Sequence, residues 1–288
     1  MITIDNIPVT ITKFPDGTSK FEHTCLTYAR KEGSVCIKWL YDNDAELFEL
    51  QCLVDWLREH GVNNISLFIP YVPNARMDRV QNPYEMFTLK SFAKIINDMH
   101  FAIVTTIDIH SNVGAALINN IENIIPVENI SEILDMPEMR EHKYNDELLL
   151  YFPDEGAMKR YSYIAKYFNL PYVFGMKNRD WATGEIKGLS VLGETDKIKD
   201  SHVLIIDDIC SKGGTFYHSA RELRKLGAKT VRLYVSHLEN TVHSGELLNS
   251  IVNSDPNDML ITDIFTTNSI YRKGPDYDPA RIHIINEY

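Results

Sequence analysis

The chain has 288 residues, with 29 Lys and Arg against 40 Asp and Glu for a formal net charge of −11, and is 44% hydrophobic and 24% charged. That length suits two domains that each bury a core, while the composition excludes disorder and fibrous repeats and the negative field excludes a sequence-blind nucleic-acid binder. Cys25, Cys36, Cys52 and Cys210 are scattered, no apolar run approaches the ~18 residues of a membrane helix, and MITIDNIPVT lacks a basic-then-apolar leader, so a reducing cytoplasm with neither membrane nor nucleic-acid partner is expected.

In chain order, VCIKWLY reads as a buried strand, and Leu47, Leu50, Val54 and Leu57 recur at helical spacing until Gly61, where NISLFIPY begins a second strand. A helix near 86–98 and the strand FAIVTTIDI follow. The stretch from Ile121 to Tyr151 is rich in Asn, Glu and Pro with weak periodicity, which places the change of domain there and the division at 1–133 and 134–288. Beyond it, the pattern predicts a helix at 157–168, strands at PYVFGM and HVLIID, and a helix presenting Phe216, Ala220 and Leu223 that Gly227 ends. The strand TVRLYVSH and a helix near 241–252 complete the series. Strands alternating with helices predict an α/β fold with mainly parallel sheets.

The sharpest motif is HVLIIDDICSKGGTF, residues 202–216, where an apolar strand ends at Asp207 and Asp208 and turns through Gly213 and Gly214 into a helix. Amides of a Gly-containing turn at a helix start converge on phosphate, and carboxylates at the strand's carboxyl end suit sugar hydroxyls and Mg²⁺. On spacing alone, the acids and glycines also fit a capped turn with no ligand. Neither the Walker A spacing nor G-x-G-x-x-G is present.

The segment resembles the phosphoribosyl-pyrophosphate (PRPP) loop, D-D-x-x-D-T-G-G-T, of type I phosphoribosyltransferases and ribose-phosphate pyrophosphokinases. Other segments, in order, resemble the pyrophosphokinases. IPYVPNARMDR, residues 69–79, is similar to P-Y-x-x-x-A-R-Q-D-R, with Met77 in place of Gln, and TIDIHSN, 106–112, is similar to a D-L-H motif, with Val113 and Gly114 where glutamines are usual. YFPDEGAMKRY resembles S-P-D-x-G, GMKNRDWATGE resembles the K-x-R catalytic loop, and TKFPDGTSK resembles F-x-D-G-E with Thr18 for Glu. From the residues alone, these are also a solvated basic loop, a lone core or surface His, an N-cap Asp, a polar loop at 175–185 and a hairpin turn.

The resemblance implies two tandem phosphoribosyltransferase-like domains, each a mainly parallel sheet flanked by helices. It implies transfer of the β,γ-diphosphoryl group of ATP to the C1 hydroxyl of ribose 5-phosphate, giving PRPP and AMP. Phe14, Asp16, Arg76, Asp78, Arg79 and His110 would bind ATP. Asp207, Asp208, Ser211, Lys212, Gly213, Gly214 and Thr215 would bind ribose 5-phosphate, and Lys177 and Arg179 would be catalytic. His110, Asp154, Asp207 and Asp208 would ligate Mg²⁺, and the protein would be a homo-oligomer, a dimer or hexamer. A phosphoribosyltransferase consuming PRPP would leave the arginine loop and Lys177/Arg179 idle. A silent regulatory subunit would account for Thr18, Ser211 and Lys212 but not for retention of Lys177 and Arg179.

Overall fold

A computed structural model describes residues 1–21, 33–80, 82–179, 186–250 and 259–288, the side chains of 177–179 and 186–189 excepted. The chain divides into two compact units, Met1–Ile125 with Tyr288 and Pro126–Glu287.

The first unit holds strands β1 (Ile2–Ile4), β2 (Ile7–Pro8), β3 (Ile11–Lys13), β4 (Ser19–Phe21), β5 (Ser34–Trp39), β6 (Asn64–Phe68), β7 (Val104–Ile107) and β8 (Ile121–Ile124). Its helices are α1 (Ala45–Glu59), α2 (Thr88–Asp98) and α3 (Asn112–Leu117). Six strands run in the order β2-β1-β5-β6-β7-β8, with β5 to β8 parallel and β1 antiparallel to both neighbours. Val35, Ile37 and Trp39 alternate inward along β5 and meet Leu50, Leu53, Val54 and Leu57 of α1 and Phe92 and Ile96 of α2. Gly61, at φ +86°, donates to the Arg58 carbonyl as α1 ends, and Val62 donates to Leu57.

The second unit comprises α4 (Val127–Asp135), α5 (Pro137–Tyr144), β9 (Leu148–Phe152), α6 (Glu155–Phe168), β10 (Tyr172–Arg179), β11 (Ile186–Gly193), β12 (His202–Cys210), α7 (Gly214–Lys225), β13 (Thr230–Leu238), β14 (Ile264–Thr267) and β15 (Ile282–Asn286). Seven strands run β11-β10-β9-β12-β13-β14-β15, all parallel except the β10–β11 pair. Leu148 to Phe152 are all buried because both faces of the sheet are covered: Leu149 and Tyr151 enter one cluster, Leu148, Leu150 and Phe152 the other.

Three local expectations are corrected. The 121–151 stretch is not a connector but β8, α4, α5 and the start of β9; Ile130, Ile133 and Leu134 of α4 are buried with Leu150 and Phe152, so the units part at 125/126 rather than 133/134. Among the described residues, no α-helix forms near 241–252; two 3₁₀ turns, Asn240–Ser244 and Leu247–Asn249, flank an extended Gly245 at φ −94°, ψ 171°. Residues 175–179, expected in a loop, belong to β10, because each of them pairs with β11; residues 180–185 lie outside the described ones.

Candidate active site

In the second unit the chemistry gathers at the carboxyl ends of adjacent parallel strands. β9 and β12 pair from His202↔Leu148 to Ile205↔Tyr151, so Asp154, just after β9, and Asp207 and Asp208, near the end of β12, share one end of the sheet. Asp154 caps α6, accepting from the Ala157 N–H at 3.0 Å. Asp208 is 3% exposed and pairs with Arg160 of α6, Nη1 to Oδ1 3.1 Å, while its own N–H donates to Asp207 Oδ1 at 3.0 Å. Burial, then the adjacent Asp208 carboxyl, with a smaller contribution from Asp154, push Asp207 well above the usual carboxylate range. Arg160 was not found from the sequence: it lies outside the P-D-x-G motif, and its sole signal was a basic residue in the second turn of a helix that an aspartate opens.

Residues 211–215 join this strand end to α7. Gly213 caps the helix at φ +81°, and a Cβ there would lie 2.6 Å from Leu247 Cδ2. Gly214 has open space where a side chain would project, at the helix start where amides lack intrahelical acceptors. Lys212 is exposed, and its carbonyl abuts Gly245 so closely that a Cβ on Gly245 would overlap it. Ser211 and Thr215 are half-buried beside them. Phe174 of β10 is level with Phe152, the last residue of β9, so the backbone of Lys177 and Arg179 runs on past that same sheet end; their side chains lie outside the described ones.

In the first unit, β6 and β7 are parallel neighbours, and the Arg76–Asp78–Arg79 loop and His110 follow their carboxyl ends. The loops are tied together: Ile107 N–H and Thr106 Oγ1 both donate to the Pro70 carbonyl, at 3.1 and 3.2 Å. Arg76 and Arg79 are exposed, Asp78 and His110 half-buried. At Gly114, a Cβ would lie 2.8 Å from Ile109 Cδ1, which accounts for a glycine where the resemblance anticipates a longer residue. The Phe14–Asp16 turn joins β3 to β4 and is anchored elsewhere, with Lys13 and Ser19 both bonding Glu49 of α1. Phe14 is 50% exposed. The Thr18 amide, then its hydroxyl, hold Asp16 below the usual carboxylate range, so Thr18 orders the turn instead of adding a second carboxylate.

Two α/β units, one with an acid pair leading into a glycine turn at a helix start, define a protein of the phosphoribosyltransferase-like class. Residues 142–254 match the phosphoribosyl transferase domain, and residues 1–99 match the N-terminal domain of ribose phosphate pyrophosphokinase. The ribose-phosphate pyrophosphokinase of Pyrococcus furiosus is 31% identical over 231 residues, 80% of this chain and 77% of that one; that of Campylobacter jejuni is 30% identical over 217 residues, 75% and 66% respectively. The fold is similar to the crystal structure of phosphoribosylpyrophosphate synthetase from Mycobacterium smegmatis, with a TM-score of 0.73 at 17% identity over 97% of this chain and 86% of that chain. The chain belongs to the ribose-phosphate pyrophosphokinase family.

Proposed function

We propose that the protein transfers the β,γ-diphosphoryl group of ATP to the C1 hydroxyl of ribose 5-phosphate, forming PRPP and AMP. The observation that carries this reading is the joint placement of the acid pair, the glycine turn and the K-x-R backbone at one end of the second sheet. Such chemistry is mainly positioning and charge neutralisation. The amides from Ser211 to Thr215, with the Lys212 ammonium, would hold the 5-phosphate, and Asp207 and Asp208 the ribose hydroxyls. Arg76 and Arg79 would grip the nucleotide phosphates, with Asp78 orienting them and Phe14 and Asp16 as further nucleotide contacts. Lys177 and Arg179 would neutralise oxygens around the β-phosphorus as it is attacked.

Mg²⁺ fits the donors present: a buried carboxyl pushed upward by a like-charged neighbour is a group that a hard cation relieves. Asp207 and Asp208 would hold it on the sugar side, and His110 and Asp154 are proposed for the nucleotide's ion; the ion would supply charge neutralisation at the phosphates. We also assign a homo-oligomer, measurable by light scattering. The cytoplasm fits Cys36, Cys52 and Cys210, which are all free thiols, and no described helix is long and apolar enough to cross a membrane.

Incubation with Mg²⁺, ATP and ribose 5-phosphate tests the reading. AMP and PRPP are expected in equal amounts; ADP, or no nucleotide product, overturns it. Lys177→Ala and Arg179→Ala are each expected to lower kcat on the order of 10³-fold, by analogy with an arginine finger; a loss under tenfold removes that role.

A further inference from the structure

The amino ends of β9 and β12 carry a second cluster of ligating side chains. Glu147 immediately precedes β9, His202 opens β12, and His142 lies in the last turn of α5. Backbone bonds link the three in series: Glu147 N–H donates to the His142 carbonyl at 2.9 Å, and His202 N–H to the Glu147 carbonyl at 2.7 Å. The two imidazoles stack, with centroids 3.4 Å apart and planes within 8°. His142 Nδ1 and His202 Nε2 each stand 4.0 Å from the same oxygen, Glu147 Oε2.

The remaining ring nitrogens have partners that orient those two. His142 Nε2 faces Glu138 Oε1 at 3.4 Å, and His202 Nδ1 faces Thr230 Oγ1 at 2.8 Å. A ring that donates its N–H to such a partner presents its other nitrogen as a lone pair, the arrangement that fixes metal-binding histidines. Glu138 is in turn held by Arg232, which is 5% exposed and also bonds Asp263 at 3.1 Å. Lys229 Nζ takes the other Glu147 oxygen, Oε1, at 3.2 Å, so Oε2 is the one turned to the imidazoles.

We propose that His142, His202 and Glu147 form a binding site for a transition-metal ion of the Zn²⁺ class, distinct from the catalytic end of the sheet. Two imidazole nitrogens and one carboxylate oxygen are a borderline-soft set that favours Zn²⁺ over Mg²⁺, which prefers oxygen alone. The three ligand atoms already lie within 4.8 Å of one another. A tetrahedral ion with ~2.0–2.1 Å bonds needs ligand separations of about 3.3 Å, so each 4.0 Å gap must close by under about 1 Å as one ring rotates out of the stack. Along β12, five residues separate His202 from Asp207, roughly 17 Å at the strand rise, so the ion touches no substrate. Its effect is to pin the end of α5 to the sheet.

The probe is Co²⁺, a visible-absorbing stand-in for Zn²⁺, added to chelator-treated full-length protein without nucleotide or sugar phosphate. One Co²⁺ per chain with a tetrahedral ligand-field band that Zn²⁺ abolishes is expected, and Zn²⁺ should raise the Tm by several degrees. In His142→Gln the affinity should fall at least tenfold, with circular dichroism unchanged; Glu147→Gln gives the same reading should that variant misfold. His110→Gln and Asp154→Asn should leave the band intact. No band, a band unaltered in both His142→Gln and Glu147→Gln, or a band lost in His110→Gln would overturn the proposal, the last by moving the ion to the catalytic end. None of these readings depends on AMP formation, so this site and the proposed reaction stand or fall separately.

Discussion

Asp207 and Asp208 are adjacent carboxylates in unlike surroundings, and Arg160 is the reason. Asp208 has a guanidinium 3.1 Å away, whereas Asp207 is raised by burial and by Asp208 itself. A carboxyl whose folded pKa exceeds its unfolded value of about 3.9 costs stability above that unfolded pKa and nothing below it. Asp207→Asn should therefore raise the Tm of the metal-free protein at pH 7 by a few degrees, with the gain vanishing as the pH approaches 4, while abolishing turnover; melts at both pH values check it. Arg160→Leu works the other way, removing an ion pair from a carboxylate that is 3% exposed. With Arg160 a quarter exposed, the cost expected in urea unfolding is about 1–3 kcal/mol, below that of a fully buried pair.

The helix starts separate structural from chemical roles. Asp154 both caps α6 and is a proposed metal ligand. Asp154→Ala should cost about 1 kcal/mol as a lost cap, whereas Asp154→Asn keeps the cap and isolates the ligand role. Calorimetric titration of the Asn variant should then show weaker Mg²⁺·ATP binding at nearly unchanged Tm. At the sugar-phosphate loop, Gly245 has ordinary extended backbone, so alanine there is strained only by its overlap with the Lys212 carbonyl. Gly245→Ala should displace that peptide and raise KM for ribose 5-phosphate about tenfold or more, with little change in KM for ATP. Nothing in the sequence linked Gly245 to a loop some thirty residues earlier. The order Asp-Asp, glycine turn, helix was readable because strand, turn and helix are contiguous; the contacts that shape the turn are tertiary. For the same reason 175–179 read as a loop: its polar residues hide a strand whose partner, β11, supplies the ladder.

Across the molecule, each unit buries its own cluster of strands and helices, a division visible in the sequence as two runs of alternating periodicity. The stretch between them misled because Asn and Glu on the outer faces of α4 and α5 mask the few buried positions that tie both helices to the second sheet. Residues 126–288 expressed alone should keep that sheet by circular dichroism and still bind ribose 5-phosphate, without releasing AMP from ATP. The chemistry-bearing residues were found by resemblance in order along the chain; the His142–His202 pair was not, because sixty residues separate its members and only the parallel pairing of β9 with β12 brings them together. Beyond Phe174 the β10–β11 ladder has lost its third strand, since β9 stops at Phe152, and continues as a two-stranded ribbon. Two strands by themselves are only marginally stable in water. Deuterium should consequently replace the amide protons of 175–179 well before those of 148–152, and the backbone bearing Lys177 and Arg179 should behave as one lever, its two cations travelling as a set.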